Sequence, residues 1–297
     1  MSLHSGPTKT YQQLAGLFAT ASTLPQLPGA AIRLIQLLDD DNATGAEVER
    51  IIIGDPALTA AVLRAASSAL YGGSGDITTV RGAVTRLGFR SVQAVAVSLG
   101  VQALMANTAA GSSFDRSRFA KHSLFVGFFA RYLYACKFAK EPFQSKWGRD
   151  EVFAAGVLHD LGVGLLASVD LATFERVADF SKNEQIPFQD AFFTIYEKPI
   201  TELAGFACET WGLPPMFREF ILNYEKPFET QEAIAYSCVN FADEIANLND
   251  HALEGWRVER IGNEPVAELV GLPEEDVPEI VMLVSRHTAA YVPANAA

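Results

Sequence analysis

The chain of 297 residues has only three cysteines, Cys136, Cys208 and Cys238, odd in number and far apart. That scarcity excludes a disulfide framework and a cysteine-built zinc cluster. Their apolar surroundings predict buried thiols in a reducing compartment. Long apolar runs are missing too. No stretch of about 18 uninterrupted apolar residues occurs, so no membrane span is expected. The start, MSLHSGPTKTYQQLAGLF, lacks a basic region followed by an apolar one, which argues against a secretory leader. Together these absences predict a soluble, cytoplasmic protein. Positive charge is also short: 23 lysines and arginines against 35 acids leave a formal net charge of −12. A field of that sign repels a phosphate backbone, so nucleic-acid binding would need a local basic patch. The densest one, Arg81, Arg86 and Arg90 in VRGAVTRLGFRSV, reads as a solvated face. Nucleic acid is not an expected partner. Internal repeats, low-complexity tracts and alternating strands separated by turns are absent as well.

What remains is helical. The composition, 49% hydrophobic and 20% charged, is ample for a sizeable core. In AAIRLIQLLDD, Ile32, Ile35 and Leu38 fall at helical spacing. Asn42 and Thr44 are candidate caps for GAEVERIII, and Asp55 followed by Pro56 opens DPALTAAVLRAASSAL. Asp76 is available as an early cap for the next helix, after the glycines of YGGSGD stop the previous one. SVQAVAVSLGVQALM is apolar nearly all round, the mark of a buried helix. ITELAGFACETWGLPPMFREFILNY should turn at Gly212–Pro215, and the tail reads as two shorter helices around GLPEEDVP. The fold class is all-α, a two-lobed multi-helix bundle without significant sheet. The small and polar stretch 106–117 is the best internal boundary, giving lobes over 1–110 and 111–297.

Within AAGVLHDLGVGLLA, His159 and Asp160 stand side by side in apolar surroundings. An unpartnered polar group there costs roughly 2–7 kcal/mol, and a bare charge costs more. A core hydrogen bond, a partner side chain or a metal ion must compensate them. His122 and Asp243 pose the same problem, in KHSLFVGFFA and VNFADEIANL. Should the helices bring the four together, two imidazoles and two carboxylates would suit one divalent transition metal of the Fe, Mn, Zn or Ni class, with positions left for water. Taken singly, each has a plainer reading: a core histidine bonded to a carbonyl, an aspartate capping or pairing. Neighbours on a helix also point about 100° apart, so the His-Asp pair does not by itself define a site.

Several motifs in order, LPQLPGAAIRLIQLLDD, IIIGDPALTAAVLRAASSALYG, ITTVRGAVTRLGFRSVQAVAVSLG and AAGVLHDLG, resemble those of the HDOD family, the HD-related output domains of bacterial signalling proteins. The resemblance runs from about Leu24 to Ala246 and includes the segment Ser67-Ser68-Ala69-Leu70-Tyr71-Gly72. It implies an all-α, two-lobed fold related to the HD phosphohydrolases, with His122, His159, Asp160 and Asp243 at the positions of a mononuclear metal site. Other positions depart from the enzymes. Val163 follows Gly162 where many hydrolases carry a lysine, and Ile200 and Tyr224-Glu225 stand where relatives often place further histidines. A binuclear site is therefore not expected, and catalysis is in doubt.

Two functions follow from the resemblance. One is a regulatory signal-transduction module acting through protein partners, with a single vestigial or structural metal. The other is a metal-dependent phosphohydrolase or phosphodiesterase acting on a nucleotide or phosphorylated small molecule, for which Lys121, Arg131 and Lys198 are the available phosphate-facing cations. Tyr71 and Arg86 are candidate ligand contacts, though a tyrosine at a helix end more often packs. Trp147 and Trp256, in polar segments, are candidates for a partner surface.

Overall fold

Capping chemistry sets the helix starts. Thr10 and Thr44 each accept from the backbone N–H three residues on, and the Gln13 and Glu47 side chains accept from the threonine amides in return. These reciprocal boxes open α1 (Tyr11–Phe18) and α3 (Gly45–Ile53). Asp55 accepts from Leu58 N–H at 2.9 Å, and Pro56 begins α4 (Pro56–Ser67). Asp115 does the same from Arg118 N–H, opening α6 (Arg116–Lys140). Of the two candidate caps near residue 44, Thr44 is the one used.

The computed structural model describes residues 9–68, 77–106, 114–226, 232–249, 251 and 268–291. The other helices are α2 (Gly29–Leu37), α5 (Val80–Ala106), α7 (Arg149–Leu158), α8 (Leu161–Val169), α9 (Leu171–Glu184), α10 (Phe188–Tyr196), α11 (Thr201–Thr210), α12 (Pro215–Asn223), α13 (Ala233–Leu248) and α14 (Val277–Tyr291). No strand occurs among the described residues. The fold is all-α. Helix α5 is broken at Gly88, whose φ of 74° only glycine adopts without strain. Asp76, Tyr71 and the glycines at 72, 73 and 75 lie outside the described residues, as do Trp256 and most of the 106–117 boundary. Of the tail, residues 268–270 are helical and a 3-10 turn at Glu274–Asp276 leads into α14.

Helix α6 is the central plank. It packs against α7, α13, α14 and α5, and both Phe125 and Phe129 on it are fully buried. Burial on every side explains why this helix has no polar stripe. At its crossing with α7 two glycines meet: a Cβ on Gly156 would fall 2.7 Å from Gly127 Cα. Only glycine permits that approach. One buried pair locks three elements together, since Asp150 on α7 accepts from Arg131 on α6 at 2.9 Å and from Ser91 on α5 at 2.9 Å. In the most apolar 18-residue windows of Val80–Leu104 and Arg149–Val169, 67% and 89% of the residues are buried, so neighbouring helices already cover most of their apolar surface.

Three expectations need correction. Trp147 is buried, not surface-exposed, packed edge-on to Phe220 at 5.0 Å with its carbonyl accepting from Tyr134. Arg131 is committed to Asp150 inside the core and does not face a phosphate. Cys136 is half-buried, whereas Cys208 and Cys238 are buried as expected, and all three are free thiols. In the basic stretch, Arg81 pairs with Glu49 at 3.0 Å, Arg90 with Glu151 at 3.3 Å, and Arg86 donates to the Ala66 carbonyl.

Candidate metal centre

His159 and Asp160 do not lie within one helix as the sequence suggests. His159 ends α7 in helical conformation, Asp160 steps out at φ −96° and ψ 18°, and α8 restarts at Leu161. This break overcomes the 100° divergence of helical neighbours and turns both side chains to one point. The Asp160 carbonyl accepts from Val163 and Gly164, the first backbone bonds of the new helix. Gly162 allows the turn to sit close against Ile200: a Cβ there would meet the Ile200 carbonyl at 2.7 Å.

His122 from α6 and Asp243 from α13 complete the group, whose donor atoms all lie within 4.8 Å of one another. The four sequence candidates therefore converge. The two Nε2 atoms are 3.2 Å apart. His122 Nε2 lies 3.5 Å from Asp160 Oδ2 and 3.3 Å from Asp243 Oδ1, and His159 Nε2 lies 3.3 and 3.5 Å from the same atoms. Donors sharing one ion at about 2.1 Å stand roughly 3.0–3.4 Å apart in tetrahedral or cis-octahedral arrangement. These five spacings match that within a few tenths of an ångström, while the group's widest separation, up to 4.8 Å, suits donors on opposite sides of an ion and not neighbouring ones.

Hydrogen bonds on the outer side fix which atoms point inward. His122 Nδ1 is 3.0 Å from the His251 carbonyl, and His159 Nδ1 is 2.7 Å from the Gly156 carbonyl. A carbonyl only accepts, so each Nδ1 carries hydrogen and each neutral ring turns its Nε2 lone pair to the centre. Gln189 of α10 donates to Asp160 Oδ1 at 2.9 Å, and Asn247 donates to Asp243 Oδ1 at 2.8 Å. Tyr224 stands edge-on to His159 at 5.7 Å. Of these supporting residues the sequence singles out Tyr224 alone, as a departure from a histidine position, and not Gln189, Asn247 or His251. Asn247 follows Asp243 at helical i+4 spacing, which is a readable signal; Gln189 and His251 are remote in the chain and gave none.

Electrostatics test whether a cation fits. Burial alone would push both histidines down, but bonds to Asp160 and Asp243 and the charge of those carboxylates raise them above the ordinary value, His159 strongly. Burial alone would push the aspartates up. The opposing charge of His159 and bonds from both imidazoles bring Asp160 far below its usual range, and bonds from the two imidazoles lower Asp243 to about 2. Two buried carboxylates thus demand two positive charges at the centre. Two Nε2 protons supply them, and one divalent ion in the same place would do so equally. The N2O2 donor set, the spacing and the charge fit such an ion.

Where relatives often have histidines for a second ion, Tyr224 and Ile200 are buried packing residues. No second converging group of His, Cys, Asp or Glu is found among the described residues. Of the suggested phosphate-facing cations, Lys121 is exposed and Lys198 lies 3.8 Å from Glu202, while Arg131 is buried with Asp150. Among the described residues, the ion pairs of Asp160 and Asp243 are with the two imidazoles.

Comparison with known proteins agrees with this architecture. An HDOD domain protein of unknown function from Geobacter sulfurreducens superposes with a TM-score of 0.73 at 20% identity, covering 95% of this chain and 99% of that one. A Shewanella amazonensis protein provisionally named a metal-dependent phosphohydrolase gives 0.66 at 22% identity, over 95% and 98% of the two chains. A Marinobacter aquaeolei protein provisionally named for signal transduction gives 0.66 at 21%, over 96% of this chain and 60% of that one. At these identities the likeness establishes the fold. An uncharacterised Treponema pallidum protein is 21% identical over 249 residues, and the chain spans 46% of its length. The sequence pattern of the HDOD domain matches residues 24–227. From its motifs, its fold and this match, the chain belongs to the HDOD family.

Proposed function

We propose that this chain is a regulatory signal-transduction module that acts through protein partners and holds one divalent transition metal as a structural element. The observation that carries this reading is the closure of the cluster. His122 and His159 are at most 1% exposed, and the aspartates are buried with amide donors from Gln189 and Asn247 on their carboxylates. No lysine or arginine among the described residues pairs with Asp160 or Asp243. Phosphate chemistry needs a way in and positive charge to receive the developing anion. Among the described residues, the positive charge beside the two aspartates is that of the imidazoles, and the four donor residues are buried. A bound divalent ion supplies Lewis acidity and acidifies a bound water, but in this reading its work is neutralising two buried carboxylates and joining α6, α7, α8 and α13.

A second reading, a metal-dependent phosphohydrolase or phosphodiesterase on a nucleotide or phosphorylated small molecule, is favoured by the same N2O2 donor set and by the provisional name of the Shewanella relative. The test is hydrolysis of bis(p-nitrophenyl) phosphate and a nucleotide panel by Mn2+-loaded protein beside Asp160→Ala. The regulatory reading predicts no turnover above the variant. Turnover that Asp160→Ala abolishes would establish the hydrolase instead.

A further inference from the structure

We propose that His251 is a positioning residue that ties helix α14 to the metal centre, so that metal occupancy and docking of α14 are coupled. This inference rests on the single-metal reading above. His251 lies beyond residues 24–227, where the family match ends. Its main-chain oxygen faces His122 Nδ1 at 3.0 Å and so fixes the tautomer that turns Nε2 inward. Two contacts of its ring span α6 and α14. It stacks on Phe125 of α6 with centroids 4.1 Å apart and planes 18° from parallel. Its Nε2 lies 2.7 Å from Ser285 Oγ on α14.

The geometry makes a short relay. Phe125 is one turn along α6 from His122, so ring and ligand share one rigid support. Ser285 sits on α14, which docks on the same helix through the buried residues Ile280, Val284 and Thr288 and through His287, edge-on to Phe128 at 4.5 Å. When α14 is docked, Ser285 holds the His251 ring and the ring holds its own carbonyl against His122. When α14 leaves, the residue that carries that carbonyl loses Ser285 as an anchor. Linkage is reciprocal: if docking tightens metal binding by some factor, metal must favour docking by the same factor. A partner that captured α14 would thereby loosen the metal, and metal loss would release α14 to a partner.

The test measures Mn2+ affinity by competition with a chelating dye in the full chain, in His251→Ala and in Ser285→Ala, and α14 amide exchange with and without Mn2+. Loss of a ligand's outer partner typically costs 10–100-fold in affinity. His251→Ala is expected to weaken Mn2+ about tenfold, and Ser285→Ala, which keeps the stack on Phe125, by less. In the unaltered chain Mn2+ should slow exchange in α14, and in His251→Ala it should not. Affinities within twofold of the unaltered chain in both variants, with α14 exchange indifferent to Mn2+, would overturn the coupling and leave the metal reading intact. Failure of the unaltered chain to bind Mn2+ at all would overturn both.

Discussion

His122 and His159 present their Nε2 atoms to each other across 3.2 Å, while the Nδ1 of each ring faces a backbone carbonyl. As neutral rings they would oppose two lone pairs in a site that also holds two carboxylates. Something positive must lie between them. Protons do so at a cost in buried charge, and one divalent ion answers the same need with a single species.

The first prediction concerns Gln189. Its amide is the donor that orients Asp160 Oδ1 and leaves Oδ2 to the centre. Gln189→Leu should weaken metal affinity about tenfold and lower stability by only about 1 kcal/mol. Chelator competition and urea unfolding of the metal-free chain measure the two effects separately.

Gly156 has two roles, since its missing side chain lets α7 approach Gly127 and its carbonyl accepts from His159 Nδ1. Gly156→Ala forces a methyl onto backbone that cannot move aside. A loss of about 1–3 kcal/mol is expected, together with weakened metal binding, because the displaced α7 carries the His159 ring. Thermal unfolding and metal titration of the same sample check both.

Asp150, at the opposite end of α7 from His159, joins Arg131 and Ser91 in a buried cluster. Asp150→Ala removes the carboxylate paired with a buried guanidinium and should cost about 3–5 kcal/mol. Replacing Arg131 and Asp150 together by Met and Leu should cost markedly less than that. Equal losses for the single and double variants in urea unfolding would argue against the lost charge pairing as the cause.

His287 gives a pH dependence. Burial, and then the positive charge of Arg131, lower its pKa below the ordinary histidine value. The unfolded chain therefore binds the extra proton more readily than the folded one. Its contribution is complete above about pH 6.5 and is lost as pH falls through that value toward the lower folded one. Between pH 7.5 and 5.5 the unaltered chain should lose more stability than His287→Phe. Parallel curves for the two would contradict this.

Much of the site was legible because burial makes ionisable residues conspicuous. His122, His159, Asp160 and Asp243 each stood out against apolar neighbours, and the HDLG context gave them a common meaning. The break between His159 and Asp160 was not legible. No residue in VLHDLGVG was read as a helix end, and the close approach of Gly162 to Ile200 just past the break joins residues far apart in the chain. Trp147 was misjudged for the same reason: Gln144, Lys146 and Arg149 around it in QSKWGRD are exposed, while the indole is buried against Phe220 and Tyr236. Arg131 reads as a surface cation in FFARYLY until Asp150 is seen to hold it. Tertiary partners decide such residues, and single-chain patterns do not name partners.

The most direct test is elemental analysis of the chain, purified without added metal or a metal-binding tag, beside Asp160→Ala and His159→Ala. The account predicts one divalent transition metal per chain, absent from both variants, with the unaltered chain losing stability when the metal is chelated. No metal in the unaltered chain, even after incubation with Mn2+, Fe2+ or Zn2+, would contradict it and leave the four residues as a proton-bridged core cluster.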